Sequence, residues 1–586
     1  MKKFFLAFLG TMAAIWATIL IATSGIVTMI IAVSATKANT IEADVKEHSI
    51  LHLVLDSEIT EREATMSLTQ LLTNPGNINL PLSLETMVKV IEQSAEDDNI
   101  EGLFIECKGA SGGLAQAEAL IKAIRVFKEN GKWVYAYSDY YSQYEYYIAS
   151  AADSLFLNPV GMVDVHGLQS QILYFKDFFE KIGVDVDIIR VGTYKSAVEP
   201  FMLSGMSEAS REQQLHYLNR IWSSMRGSIA KNRKVTPEKV NMWADSLSFL
   251  SSTDFYLKNK LIDKAIYRHT MDSVLAVLTD RKGKDPRFVS VSQYSTKLTK
   301  ADKSDRHIAV LYAVGEIKES GDDCIASETL TEDIFDLMDD DDVAGLVLRV
   351  NSPGGSAFAS EQIWEALQEF KRVTGKPFYV SMGDYAASGG YYISCGADKI
   401  YAEPLTLTGS IGIYGMVPNV SKLMNDKLGI HIGEVSTVGD GFPTLLEPMT
   451  DAQKRAFQAS VNRGYALFTK RCAEGRHMPL DSLLKIAEGR VWDGTSALER
   501  GLVDKLGGLD QAVKDMAAEL DMDASDVVSY PNKDVKWYDE ILRASGQIEA
   551  AWTRNQLGEA YPLYQQLQKV RSMSGIMCRM EFVTLQ

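Results

Sequence analysis

The sequence predicts an α/β fold written twice along one chain, and three observations predict it. First, Ile100 to Gly167 lines up with Val343 to Gly412: Asp139-Tyr140 falls on Asp384-Tyr385, Tyr146-Tyr147-Ile148 on Tyr391-Tyr392-Ile393, Asp153 on Asp398 and Pro159 on Pro404. Second, short β-rich runs in each copy alternate with stretches whose apolar residues recur every three or four positions, the punctuation of β-α-β units around a mostly parallel sheet. Third, 586 residues with 46% hydrophobic and 23% charged side chains give enough chain for more than one core, in a composition neither disordered nor fibrous.

Taken in order, the chain opens with Lys2 and Lys3 and then runs uncharged from Phe4 to Thr36. About 20 apolar residues cross a bilayer core, whereas the apolar part of a signal peptide is about 7 to 15, so the length outweighs the small-residue stretch "VSATKA" that resembles a cleavage site. A retained transmembrane helix is therefore expected over residues 4–36, residues 1–37 forming a cytoplasmic start and anchor with the bilayer as partner. The basic flank places Met1 in the cytoplasm and the rest on the extracytoplasmic, periplasmic side of the inner membrane, single-pass.

The first repeat is expected over 45–290 and the second over 305–545, with the charged linker "SQYSTKLTKADKSDR" between them. "GLVLRV" (Gly345 to Val350) reads as a buried strand, "SEQIWEALQEFKRVT" as an amphipathic helix and "PFYVSM" as the next strand. Flanking pieces repeat as well: "KLIDK" from Lys260 resembles "GLVDK" from Gly501. Residues 546–586 have no counterpart in the first copy and read as a C-terminal extension.

Subtracting 77 acidic from 60 basic residues leaves −17, with no long Lys/Arg run, which excludes nucleic acid as a partner. The five cysteines are far apart and form no CxxC pair, so neither a zinc knuckle nor a disulfide framework is expected. Asp339 to Asp342 lacks EF-hand spacing and reads as a solvated helix end.

The chemistry is expected where the copies differ. The loop "NSPGGS" (Asn351 to Ser356) replaces "KGASGG" of the first copy, and Gly354-Gly355 lets backbone N–H groups turn toward an oxyanion. The plainer reading is an ordinary strand-to-helix turn. In "AASGGYYIS", Ser388 sits among alanines and glycines before a helix-compatible run, open enough to be a nucleophile, where the first copy has Gln143. The plainer reading is a helix cap. "VGTYKSAVEPF" holds Lys195 in the first copy, whereas "VGDGFPTLLEPM" has Phe442 or Pro443 there. A lysine in an apolar segment serves as a general base once desolvation lowers its pKa, and its plainer reading is a surface lysine with a buried stem. Singly each plain reading wins. Jointly the halves are complementary, each lacking what the other holds, and a Ser/Lys pair is the best constellation.

The set "GTYKSAVEPF", "NSPGGSA", "AASGGYYIS" and "TLTGSIGI", behind the expected N-terminal anchor and within a tandem repeat, resembles the long form of the signal peptide peptidase A (protease IV) family. That resemblance implies a crotonase/ClpP-like fold in each repeat and a membrane-bound serine endopeptidase working through an acyl-enzyme, with Ser388 as nucleophile and Lys195 as general base. It implies Ser410 as a hydroxyl orienting the lysine, and Gly354, Gly355 and Gly389 as oxyanion donors. It also implies remnant signal peptides and other apolar peptides as substrates, a homotetramer, and no metal or organic cofactor. Two other readings stay open: an acyl-CoA hydratase or isomerase of the crotonase type, and a non-enzymatic membrane scaffold.

Overall fold

The computed structural model describes residues 45–62, 83–298, 306–321, 324–433, 435–439, 441, 443–531 and 575–580. The first half supplies β1 (Ser49–Leu55), β2 (Ile100–Cys107), β3 (Trp133–Tyr141), β4 (Ser154–Val163), β5 (Asp185–Arg190), β6 (Lys264–Ala265) and β7 (Arg287–Ser290). All but β5 form one parallel sheet in the order β6-β4-β3-β2-β1-β7.

The second half supplies β8 (His307–Val314), β9 (Ile317–Lys318), β10 (Ile325–Ala326), β11 (Val343–Ser352), β12 (Gly354–Ser356), β13 (Phe378–Ala387), β14 (Lys399–Ala402), β15 (Leu407–Gly409), β16 (Tyr414–Asn419), β17 (Val491–Asp493), β18 (Lys505–Leu506) and β19 (Val527–Tyr530). A last strand, β20, is Gly575–Arg579. The second sheet runs β17-β15-β13-β11-β8-β19, parallel except for β17 on β15, with β14 beside β13 and β18 beside β14. A third sheet, β10-β9-β12-β20-β16-β5, draws β5 from the first repeat onto strands of the second.

These elements form for the reasons the sequence carries. β11 is buried at every position except Asn351, as a parallel strand covered on both faces must be. The helix Ala357–Thr374 that follows β12 buries Ile363, Trp364, Leu367 and Phe370 on one stripe, starts where the Ser356 hydroxyl accepts the Ala359 N–H, and stops at Gly375 in the left-handed region. The corresponding helix of the first repeat, Leu114–Glu129, begins after Gly113, which has no side chain to cap it. Its free N–H groups are met from the other repeat: Asp384 of β13 accepts from Ala115 N at 2.8 Å and Gln116 N at 3.4 Å.

The repeats are fastened by more than that cap. Glu61 and Arg349 form a buried pair, Nε to Oε2 at 2.9 Å and Nη2 to Oε1 at 3.2 Å, and Gln116 and Asn351 donate to the same carboxylate. Lys122 reaches Glu403 at 2.6 Å. Breaking one member of such a buried set strands its partner's charge, which is far costlier than removing the set together.

Three expectations change. The transmembrane anchor expected over residues 4–36 lies outside the described residues, and among the described residues no helix is long and apolar enough to cross a membrane. The long helices Glu208–Arg233 and Asp451–Gly475 carry charges along their length. The fold is therefore corrected to tandem α/β repeats with no spanning helix among the described residues. The bilayer contact, the single-pass topology and the periplasmic placement rested on that helix, and no described helix supports them. Second, the start of the linker is ordered as the helix Val291–Leu298, which buries Val291 and Tyr294 and ties Lys297 to Asp97 at 2.8 Å. Its apolar contacts are too few to give a sequence period. Third, within the C-terminal extension, residues 575–580 enter the third sheet between β12 and β16; the rest of the extension lies outside the described residues.

Candidate active site

Ser388 stands directly after β13 and before the short helix Gly389–Ser394. Its φ of 56° and ψ of −110° put it in a region that costs a non-glycine residue about 1–3 kcal/mol. Small neighbours in "AASGG" make that turn sterically possible, and the backbone is pinned by Ser388 N donating to Gly409 O at 2.7 Å. The side chain accepts no capping bond from its own helix, so the plain capping reading does not hold.

Lys195 arrives from the loop after β5 and is 1% exposed. Its Nζ lies 2.8 Å from Ser388 Oγ, 3.0 Å from Ser410 O and 3.1 Å from Ser410 Oγ. A neutral amine has two N–H donors and one lone pair. The two Ser410 oxygens match the donors, which leaves the lone pair facing the Ser388 hydroxyl. Ser410 is also at positive φ, 50°, and is held by its N–H on Arg490 O at 2.7 Å.

Of the expected oxyanion glycines, Gly354 already donates to Ser352 Oγ at 3.1 Å. Gly354 has a φ of 96°, and a Cβ there would fall 2.7 Å from Gly389 N and 2.3 Å from Cys578 O, so only glycine allows this approach. Gly355 and Gly389 lie in the same shell, the Gly355 N–H facing the Cys578 thiol. Burial pushes that thiol above its ordinary value.

The family model for peptidase family S49 matches residues 126–283 and 370–523. Protease 4 of Haemophilus influenzae is 35% identical over 482 residues, covering 79% of this chain and 78% of the relative. Protease 4 of Salmonella typhi is 36% identical over 447 residues, covering 75% and 72%. The chain belongs to peptidase family S49. Like the family, it is a serine endopeptidase of the Ser/Lys-dyad type. The chloroplastic serine protease SPPA of Arabidopsis thaliana is a further relative, 30% identical over 491 residues, 80% of this chain and 69% of that protein. A solved ClpP1 mutant from Listeria monocytogenes is 14% identical, covering 36% of this chain and 95% of that one with a TM-score of 0.24, too slight a likeness to define the fold.

Within this S49 chain several supporting residues escaped the sequence. Gly489, at φ 78°, would place a Cβ 2.7 to 2.8 Å from Lys195 Cβ, Cα and N, and so sets the path of the lysine backbone. Gln213 donates to Tyr194 O at 3.0 Å and Ser196 Oγ at 2.7 Å while accepting from Val491 N at 3.2 Å, clamping both neighbours of Lys195 onto β17. Neither carries a local signal, because each acts only once the repeats have docked. Asn419, a formal glycosylation sequon, is buried, its Oδ1 accepting from Ser421 N at 3.0 Å.

Proposed function

We propose that Ser388 is the nucleophile and Lys195 the general base of this endopeptidase, acting on peptides through an acyl-enzyme. The observation that carries the reading is the 2.8 Å separation of Lys195 Nζ and Ser388 Oγ, with the remaining Nζ partners supplied by Ser410. The neutral amine takes the Ser388 proton as Oγ attacks a peptide carbonyl carbon. Ser410 holds the amine in line, and the Gly389 N–H, joined by that of Gly355 once the Cys578 thiol has moved off it, receives the developing oxyanion. The lysine then gives its proton to the leaving amine, and the sequence repeats with water to release the acyl group.

The repeats 45–290 and 305–545 are the units that each supply one half of this site. Steady-state hydrolysis of a fluorogenic apolar peptide tests the assignment. Ser388→Ala and Lys195→Ala each lower kcat/KM by about a thousand-fold or more, and Lys195→Arg does not rescue because a guanidinium stays charged. Full activity in either alanine variant contradicts it.

A further inference from the structure

A short stretch of the second repeat, residues 488–492, touches both segments that present the Lys195 amine and its Ser410 partner. Glu488 O accepts the N–H of Tyr194, the residue before Lys195, at 3.0 Å. Gly489 N donates to the carbonyl of Ile411, the residue after Ser410, at 2.8 Å, and Arg490 O accepts the Ser410 N–H at 2.7 Å. Val491 then opens β17 opposite Gly409 of β15. The backbone of this stretch therefore sets where both segments lie, and the side chain of Arg490 sets where the stretch itself lies.

The Arg490 guanidinium stands over two rings, 4.5 Å from the centroid of Tyr194 and 4.6 Å from that of Trp492. Its Nη2 donates to Glu212 Oε1 at 2.8 Å, and the other oxygen of that carboxylate accepts the Tyr194 hydroxyl at 3.2 Å. Glu212 is 57% exposed, so the ion pair alone holds little against water. The rings hold more, because a flat, weakly hydrated cation is drawn to aromatic faces. Its Nε is buried and makes no hydrogen bond among the described residues, so stacking and one carboxylate are what fix the group. Trp492 is itself fixed: its Nε1 donates to Ile486 O at 3.0 Å, Arg500 stands 3.8 Å from its ring and His216 meets it edge-on at 5.7 Å.

We propose that Arg490 is a positioning residue for peptide hydrolysis, its carbonyl holding Ser410 and its guanidinium holding Tyr194, so that the general base and the hydroxyl that orients it keep one alignment. This rests on the assignment of Ser388 and Lys195 as the catalytic pair. Without the guanidinium, Tyr194 loses the group that ties it to Trp492 and Glu212, and the lysine beside it drifts from Ser410 and gains water. An amine in contact with water keeps its proton to higher pH, so less of it is ready to accept the Ser388 proton.

The test is the pH dependence of kcat and kcat/KM on the fluorogenic peptide for wild type, Arg490→Ala and Arg490→Lys. In Arg490→Ala, kcat falls about ten-fold, KM changes little, and the acid limb moves to higher pH by about half a unit or more. Arg490→Lys recovers part of the loss, and millimolar guanidinium chloride, against sodium chloride at the same concentration, restores activity to Arg490→Ala and not to wild type. Unchanged kcat and acid limb in Arg490→Ala overturn the proposal. A fall in kcat with an unmoved acid limb and no recovery by guanidinium also overturns it, because that is what a purely structural arginine gives. Circular dichroism reports folding, and if Arg490→Ala does not fold, Tyr194→Leu and Glu212→Gln take its place: each moves the acid limb the same way by less, and an unmoved limb in both overturns the proposal. Hydrolysis that survives Lys195→Ala marks failure of the catalytic pair instead, and is read on that variant alone.

Discussion

Lys195 Nζ and Ser388 Oγ stand 2.8 Å apart although 193 residues of chain separate them. One comes from the loop after β5, the other from the end of β13, and the two meet because β5 crosses over to pair with β16, Asp185 to Arg190 against Asn419 to Tyr414. On the proposed assignment of this pair, docking of the repeats is a condition of chemistry, and what loosens the dock disarms it.

As the proposed general base, Lys195 accepts a proton only when it is neutral. Log kcat/KM is expected to rise with pH on a slope of about 1 and then level, and to show no falling limb from the dyad itself. A pH-rate profile on the fluorogenic peptide checks this. An acid optimum would exclude an amine as the base.

Asp384 makes the inter-repeat dock sensitive to pH. Burial, with the nearby Glu61 charge, pushes its carboxyl up to about 6 from 3.8, against the opposing pull of the Ala115 and Gln116 N–H groups and Arg349. Below 3.8 both folded and unfolded chains hold the proton. Between the two values the unfolded chain releases it and the folded chain keeps it, so stability falls as pH rises through that window, by (6 − 3.8) × 1.36, about 3 kcal/mol. Denaturant unfolding at pH 4 and pH 7 measures it, and Asp384→Asn removes this part of the slope. An unchanged slope in that variant would contradict the assignment.

Gly489→Ala is expected to act on the reaction without touching substrate. The new Cβ meets Lys195 Cβ, Cα and N at 2.7 to 2.8 Å in a left-handed conformation, so the lysine shifts and kcat falls about ten-fold or more while KM changes little. Kinetics paired with far-UV circular dichroism separate displacement from unfolding. A variant with unchanged kcat would show that the lysine path does not depend on this glycine.

The β-α-β repeat, the buried strands and the Ser/Lys pair were legible because a duplicated sequence can be compared with itself. Gln143 shows why that comparison works. At the position of Ser388 it donates to Gly167 O at 2.7 Å and accepts from His166 N at 2.9 Å and Gly167 N at 2.8 Å, so the first repeat has closed its own site with an amide. What the sequence concealed is tertiary. Gly489, Gln213 and Asp384 act across the repeat boundary, and no local period or motif marks a contact between segments hundreds of residues apart. The seating of β20 was hidden for a related reason: "GIMCR" is too short to show a strand period, and only the empty edges of β12 and β16 select it. The expected anchor over residues 4–36 rested on length and apolarity alone and lies outside the described residues, among which no helix is long and apolar enough to cross a membrane.

The most direct measurement is intact-mass spectrometry after exposure of the protein to a serine-reactive phosphonate, comparing wild type, Ser388→Ala and Lys195→Ala. One adduct on wild type mapped to Ser388, none on Ser388→Ala and a strongly slowed reaction on Lys195→Ala is the expected result. An adduct that persists in Ser388→Ala, or forms at an undiminished rate without Lys195, would contradict the assignment of the pair.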